Sequence, residues 1–236
     1  TTAIERADRA VQHARVGRFV KLGGDAGVLN GSIRSFDGGG AGLRDLPGAA
    51  SQPSFVFGGA HVAIALRDDA LRFAGVSVIL DATRWVDLDT NLFDFTRLAG
   101  ELQAHVPLGP RNRMLAVRLR TSHSMADRGA KVPFYLMETI GGAKTLRSFD
   151  EYRFRDTRNL VANAEYRWEI WTYANLAVFG DVGKVFSDEG DLTWSGLAAG
   201  YGIGLRSILP GGGGFRIDLA RGREGFRVHI GGGPSF

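Results

Sequence analysis

Residues 226–236 read FRVHIGGGPSF and end the chain. The apolar residues of this terminal-strand signal share one parity: Phe226, Val228, Ile230 and Phe236. Arg227 and His229 occupy the opposite parity. Because successive side chains of a β-strand point to opposite faces, the pattern predicts a strand with one apolar and one polar face.

The composition of the 236-residue chain fits one large β domain. The chain has 34 Gly, 7 Pro and no Cys, with 44% hydrophobic and 23% charged residues. A membrane-spanning helix needs about 20 consecutive apolar residues, and the sequence contains no such run. A membrane-spanning β-barrel needs none, because its strands alternate lipid-facing and lumen-facing residues. The composition therefore argues against helical spans and permits a barrel in lipid.

The distribution of charge argues against a nucleic-acid partner. The formal net charge is +4, but Lys and Arg are interspersed with Asp and Glu. Phosphate binding favours a dense cluster of basic residues, which this sequence lacks. No G-x-S-x-G elbow is present, and the glycine-rich stretches lack the lysine of a phosphate-binding loop. We therefore expect no nucleic-acid binding, no enzymatic activity and no cofactor.

Alternation of period two continues through most of the chain and predicts about ten strands. In one of them Leu115, Val117 and Leu119 oppose Arg118 and Arg120. Several strands reach the ~9–11 residues that a tilted strand needs to cross a bilayer. The predicted strands are 18–29, 54–67, 72–85, 92–106, 113–124, 159–171, 174–183, 196–208, 215–221 and 226–236. In 196–208 the inward parity carries several glycines, which leaves room for a bulky group against the wall.

The first residues show a different period. Helical spacing relates the apolar residues Ile4, Ala7, Val11 and Ala14. This spacing favours a short amphipathic helix over a strand at 2–14. We accordingly divide the chain into an N-terminal segment, 1–16, that is a short helix or a strand, and a barrel domain, 17–236.

The connections alternate in length. The short ones are 67–72, 107–112, 171–173 and 209–214, and the long ones are 30–53, 125–158 and 184–195. Short turns on one side and long loops on the other are typical of outer-membrane barrels, with the long loops outside. The loop lengths therefore predict an antiparallel transmembrane β-barrel.

Residues 133–156, PFYLMETIGGAKTLRSFDEYRFRD, begin a series of motifs with a family resemblance. The series continues with NAEYRW (163–168), FGDVGKVF (179–186), YGIGLR (201–206), FRIDLA (215–220) and the terminal strand. This order resembles the BamA/TamA superfamily of outer-membrane β-barrels, the bacterial surface-antigen class, over residues 133–236, and only by pattern over 54–132. The resemblance implies an all-β, antiparallel barrel, usually sixteen-stranded, in a Gram-negative outer membrane, with a long extracellular loop folded into the lumen.

In this family the long loop ends in an aliphatic-Arg-Gly-aromatic motif. The matching residues are Leu146, Arg147, Ser148 and Phe149, so serine replaces the glycine. Serine adopts positive φ poorly, which puts the loop backbone at this position in question. The resemblance implies that Arg147 meets two lumen-wall partners, Glu165 and Asp181.

The residue chemistry is consistent with this implied contact. Glu165 and Asp181 have inward parity on their strands, and a buried guanidinium requires paired carboxylates. The alternative is that both acids pair with arginines of the wall itself, such as Arg167 and Arg206.

Two other residue groups have inward or outward positions on the predicted strands. The inward histidines His61, His105 and His229, with Asp81 and Glu101, could in principle bind a metal, but scattered lumenal histidines are more often polar lining, and we expect no metal. The outward aromatic residues are expected to anchor the barrel at the membrane interfaces. They are Phe226, Phe236, Tyr166 and Trp168.

The strand count leaves closure open, because ten strands are fewer than sixteen. The alternatives are a small closed barrel, a barrel completed by another chain, and a stretch whose missing strands precede residue 1. The resemblance implies assembly, insertion or translocation of proteins at the outer membrane, with lipid and unfolded outer-membrane proteins as partners. The competing functions are a passive pore, a structural barrel and the membrane anchor of a passenger domain. The alternative to a membrane barrel is a soluble β-barrel or β-sandwich.

Overall fold

The computed structural model describes residues 3–16, 18–32, 46–67, 74–109, 112–207 and 214–232. Within these ranges the chain is all-β, apart from two short 3-10 turns. The strands are β1 (Ala3–Val16), β2 (Val20–Ser32), β3 (Phe55–Arg67), β4 (Gly75–Asp87), β5 (Phe95–Pro107), β6 (Arg113–Ala126), β7 (Glu138–Ile140), β8 (Phe154–Asp156), β9 (Arg158–Trp171), β10 (Ala174–Phe186), β11 (Ala198–Ser207), β12 (Phe215–Gly222) and β13 (Gly225–Gly232).

Eleven of these strands form one antiparallel sheet. Its order is β1-β2-β3-β4-β5-β6-β9-β10-β11-β12-β13, so each strand lies beside its neighbours in sequence once β7 and β8 are set aside. β7 and β8 pair with each other in a separate small sheet. Across the described residues β1 and β13 are the two edges of the large sheet and are not paired with each other.

The ten predicted strands are confirmed, with ends that differ by a few residues. The helix favoured at 2–14 is wrong, because β1 is a strand that pairs with β2 from Arg6–Asn30 to Val16–Val20. Backbone pairing outweighs the local apolar spacing here: a strand satisfies the N–H and C=O groups on the open side of β2. Phe236 of the terminal-strand signal lies outside the described residues.

The sheet separates apolar and polar side chains onto opposite faces. The outer face exposes aliphatic side chains along its length, among them Val56, Leu80, Leu102, Leu119, Val178, Ile203, Leu219 and Ile230. The inner face carries buried polar side chains, among them Arg118, Asn163, Glu165, Asp181, Arg206, Arg216 and Asp218. Such an inverted distribution requires an apolar solvent outside the wall, as a bilayer provides. No helix in the described ranges is long and apolar enough to cross a membrane.

The connection between β6 and β9, residues 127–157, folds back over the inner face, and we call it the lumenal loop. β7 and β8 lie within it and contact β9 and β10. Its first part packs elsewhere, because Val132 and Leu136 join an apolar cluster with Leu29, Phe55 and Phe95 from β2, β3 and β5. The lumenal loop is therefore seated at two separate places on the wall.

Candidate functional site

The second seat is formed by a compact turn at 141–150. Gly141 and Gly142 have positive φ, 128° and 79°, and a Cβ at Gly141 would lie 2.2 Å from the carbonyl oxygen of Asp150. Glycine is therefore required at the start of the turn. The Gly142 N–H donates to the Phe149 carbonyl oxygen (3.0 Å), and the Gly141 N–H donates to Thr145 Oγ1 (2.7 Å). These bonds hold the turn closed.

The turn buries all four residues of the loop-anchor motif: Leu146, Arg147, Ser148 and Phe149. Leu146 and Phe149 belong to an apolar cluster that also contains Ile140, Val161 and Ala198. The Phe149 ring meets the Phe154 ring edge-on at 5.1 Å. The apolar members of the motif thus fix the turn against β9 and β11, while the arginine lies between them.

Arg147 binds both carboxylates that the family resemblance assigned to it. Its Nε and Nη2 donate to the two oxygens of Asp181, at 2.8 and 2.7 Å. Its Nη1 donates to Glu165 Oε2 at 2.7 Å, and its guanidinium lies over the Phe179 ring, 3.4 Å from the ring centre. The three charged side chains are at most 2% exposed. The Asp181 contact is the bidentate geometry that arginine forms best with a carboxylate.

Glu165 binds the wall arginines as well as Arg147. The structure therefore contains both pairings that the sequence allows for this glutamate: with the loop and with the wall. Arg206 Nη2 donates to Glu165 Oε2 at 2.7 Å, and Arg167 Nε donates to Oε1 at 2.6 Å. Arg206 also forms an ion pair with Asp218, with 2.7 Å between Nη1 and Oδ1. Glu165 on β9 therefore connects the loop to Arg206 on β11 and, through Arg206, to Asp218 on β12, whereas Asp181 receives its charged partner from the loop.

Several residues that the sequence did not single out also hold the turn. Arg118 donates to the Lys144 carbonyl oxygen and, at 2.8 Å, to Asn163 Oδ1. Asn163 Nδ2 donates to the carbonyl oxygen of Thr145 and to Asp181 Oδ1, both at 2.7 Å. Inward parity marks Arg118 and Asn163 as lumenal, but only the register of β6 and β9 shows that they reach the loop.

Ser148 avoids the backbone conformation that glycine permits. The described non-glycine residues with positive φ are Gln52, Asn91 and Tyr152, and Ser148 is not among them. Its side chain instead occupies space left by two wall glycines. A Cβ at Gly200 would lie 1.9 Å from Ser148 Oγ, and a Cβ at Gly222 would lie 2.8 Å from it. The glycines of the wall therefore accommodate the serine of the loop.

The predicted glycine row serves the wall as well as the loop. A Cβ at Gly202 would lie 2.5 Å from Phe179 Cζ, and a Cβ at Gly204 would lie 2.4 Å from Arg206 Nη1. Gly196 lies before β11, with φ of 77°. The row thus leaves room for the ring beneath Arg147 and for one of the arginines bound to Glu165.

The remaining sequence-predicted residues lie apart from this anchor. Phe226, Val228 and Ile230 are exposed on the outer face of β13, and Tyr166 and Trp168 lie near the end of β9 that leads to a short turn. Among the histidines, His229 contacts the anchor through the Arg147 carbonyl oxygen. No group of three or more His, Asp and Glu side chains in the described part of the chain is placed to bind a metal.

Comparison with known proteins agrees with this architecture. A model of the Omp85 superfamily domain matches residues 83–236. The chain is similar in fold to the crystal structure of BamA from Haemophilus ducreyi lacking POTRA domains 1–3, with a TM-score of 0.57 and 14% sequence identity. The similarity covers 90% of this chain and 54% of the BamA chain, so this chain spans about half of that protein's crystallised length. A search of curated proteins found no match.

The domain match covers well over half of the chain and includes the lumenal loop and every strand from β5 onward. The exposed aliphatic outer face, the charged inner face and the alternating loop lengths agree with a barrel in lipid. The chain therefore belongs to the Omp85 superfamily of outer-membrane β-barrels, the BamA/TamA superfamily that its sequence resembles.

Proposed function

We propose that this barrel assembles or translocates other proteins at the outer membrane, with unfolded outer-membrane polypeptides as its clients. The observation that carries the proposal is the lumenal loop, which is held against the inner face by the buried Arg147–Glu165–Asp181 cluster. A diffusion pore requires an open lumen, whereas this barrel places a structured loop inside it.

A second feature supports a role in handling polypeptide chains. Across the described residues β13 pairs only with β12, so the backbone groups on its other side are available for another strand. An unpaired strand edge accepts an extended peptide through main-chain hydrogen bonds. In hydrocarbon such an edge must be covered, because each unsatisfied backbone group costs several kcal/mol. Its partner is a strand of another chain, a further strand of the same barrel or a client.

The proposed activity consists of binding and releasing polypeptide and requires no covalent step. Membrane lipid contacts the outer face, and client segments contact the strand edge and the lumen. The loop anchor and β13 therefore carry the proposed activity, without a catalytic residue, metal or cofactor.

Depletion of the protein followed by quantitative outer-membrane proteomics tests the proposal. Complementation with the wild type and with the surface control R128A is expected to restore the levels of other barrels, and R147A is expected to fail. Arg128 lies exposed in the lumenal loop, before the anchoring turn. Unchanged levels of other barrels after depletion would contradict the proposal.

The partly exposed charges of the inner face, such as Glu101 and Arg120, favour a passive pore as the second candidate. In planar bilayers a pore closed by the lumenal loop would conduct little as wild type and more as R147A. Such a rise, together with an unchanged outer-membrane proteome, would assign the chain to the passive class. A flat conductance and an unchanged proteome would favour a structural barrel or an anchor for a passenger domain.

A further inference from the structure

The turn of the lumenal loop contacts both strands of the last hairpin, β12–β13, and the turn between them. On β12, Arg216 Nη2 donates to the Ala143 carbonyl oxygen (3.2 Å), and Ser148 packs on Gly222. At the hairpin turn, Arg223 lies over the Phe149 ring, 5.7 Å from its centre. These contacts hold both ends of β12 and the turn of the hairpin.

The contacts to β13 are the most specific. Arg227 Nε and Nη2 donate to the two oxygens of Asp150, at 2.7 and 2.9 Å. His229 Nε2 lies 2.7 Å from the carbonyl oxygen of Arg147. Because a carbonyl oxygen only accepts hydrogen bonds, Nε2 must carry the proton. The two polar side chains on the inner face of β13, Arg227 and His229, therefore both bind the loop.

β13 has little other support in the described structure. Across the described residues it pairs along one side only, with β12, and β12 has 8 residues, whereas β9 has 14 and β10 has 13. An edge strand frays more readily than a central one, because backbone hydrogen bonds along one side alone oppose its opening. The loop contacts thus form the second surface that holds the hairpin in place.

We propose that the lumenal loop is a clasp for the terminal hairpin, so that docking of Arg147 and fixation of β13 are coupled. Arg147 takes part in both: its side chain binds Asp181 and Glu165, and its carbonyl oxygen binds His229. A displacement that breaks the ion pairs moves this carbonyl as well. Undocking of the loop therefore frees the edge of the sheet. The inference concerns the mechanics of the wall and does not rest on the proposed function.

Cysteine cross-linking tests the contact, because the natural chain has no cysteine. The pair D150C/R227C is expected to form a disulfide under mild oxidation in outer-membrane vesicles. The control pair D150C/V228C is expected to form none, because Val228 points to the outer face. Equal cross-linking of both pairs, or none in a folded D150C/R227C protein, would overturn the placement of β13 on the loop.

Hydrogen exchange tests whether the loop contacts stabilise β13 and needs no disulfide. It therefore still tests the proposal if the cysteine variant does not fold. D150N removes one exposed charged pair, and amides of β13 are expected to exchange about two- to fivefold faster. The matched control E138Q alters the same loop at its contacts with Arg97 and Arg120 on β5 and β6 and is expected to leave β13 unchanged. Equal effects of D150N and E138Q on β13, or no effect of D150N, would contradict the clasp.

Discussion

Replacement of Arg147 by alanine is expected to cost about 3–5 kcal/mol of unfolding free energy, the usual loss when one partner of a buried ion pair is removed. The cost falls mainly on Asp181. In the wild type this carboxylate accepts three hydrogen bonds from Arg147 and one from Asn163 Nδ2. In R147A the backbone N–H of residue 147 and the side-chain amide of Asn163 are the remaining donors among these, so a buried negative charge loses its cationic partner.

Glu165 behaves differently, because Arg206 and Arg167 still bind it when Arg147 is removed. R167A is therefore a matched control: it removes a half-buried arginine from the same cluster, yet Glu165 keeps Arg147 and Arg206. We expect R167A to cost about 1–2 kcal/mol, the value of one hydrogen bond to a charged group. The difference between the two variants measures what the loop arginine contributes beyond an arginine of the wall.

Urea unfolding in lipid vesicles, followed by the fluorescence of the four tryptophans, measures these losses. The double variant R147A/D181A separates the mechanisms, since it also removes the carboxylate that R147A leaves unpaired. Its cost is expected to be about 2 kcal/mol smaller than the sum of the single costs, within the range for residues in direct contact. A loss below about 1 kcal/mol for R147A, or strict additivity, would refute the buried-ion-pair explanation.

Three further predictions concern the loop seat, its pH dependence and the lipid face. G200A is expected to destabilise by about 1–3 kcal/mol through overlap with Ser148, and S148G/G200A is expected to recover most of the loss in the same urea assay. The hydrogen bond from Arg227 lowers the pKa of Asp150, so this pair stabilises β13 above the ordinary carboxyl pKa and is lost as pH falls through the lowered value. Protection of β13 amides, taken relative to the intrinsic exchange rate at each pH, is therefore expected to fall from pH 5 to pH 3 in the wild type and to change little in D150N. L102R places a charge on the outer face and is expected to cost about 2–4 kcal/mol in vesicles, whereas a tolerated arginine would contradict lipid contact there.

The strands and their faces could be predicted because alternation is a local property of the sequence. Leu115, Val117 and Leu119 alternate with Arg118 and Arg120, and the structure places the two sets on opposite faces of β6. The N-terminal strand could not be recognised in the same way. Ile4, Ala7 and Val11 fit a helical stripe, and only pairing with β2 decides between the two structures.

The anchor was predictable in part, because the family motif named Arg147 and its two acids. Its remaining contacts depend on which strands lie side by side. His229 is 82 residues from Arg147 in sequence, and no local pattern relates an inward histidine to a backbone carbonyl of a loop. The space for Ser148 similarly arises from glycines on two different strands, Gly200 and Gly222.

The two edges of the large sheet limit what completes the wall. Among the described residues neighbouring strands are antiparallel and the eleven strands of the sheet alternate in direction, so β1 and β13 run the same way. A direct seam between them would be parallel, and so would a seam with a second copy in the same membrane orientation. An antiparallel seam requires an odd number of additional strands, which gives the even total found in single-chain bacterial barrels. The parity of the described sheet therefore disfavours a direct seam between its two edges and favours strands of the opposite polarity beside both of them.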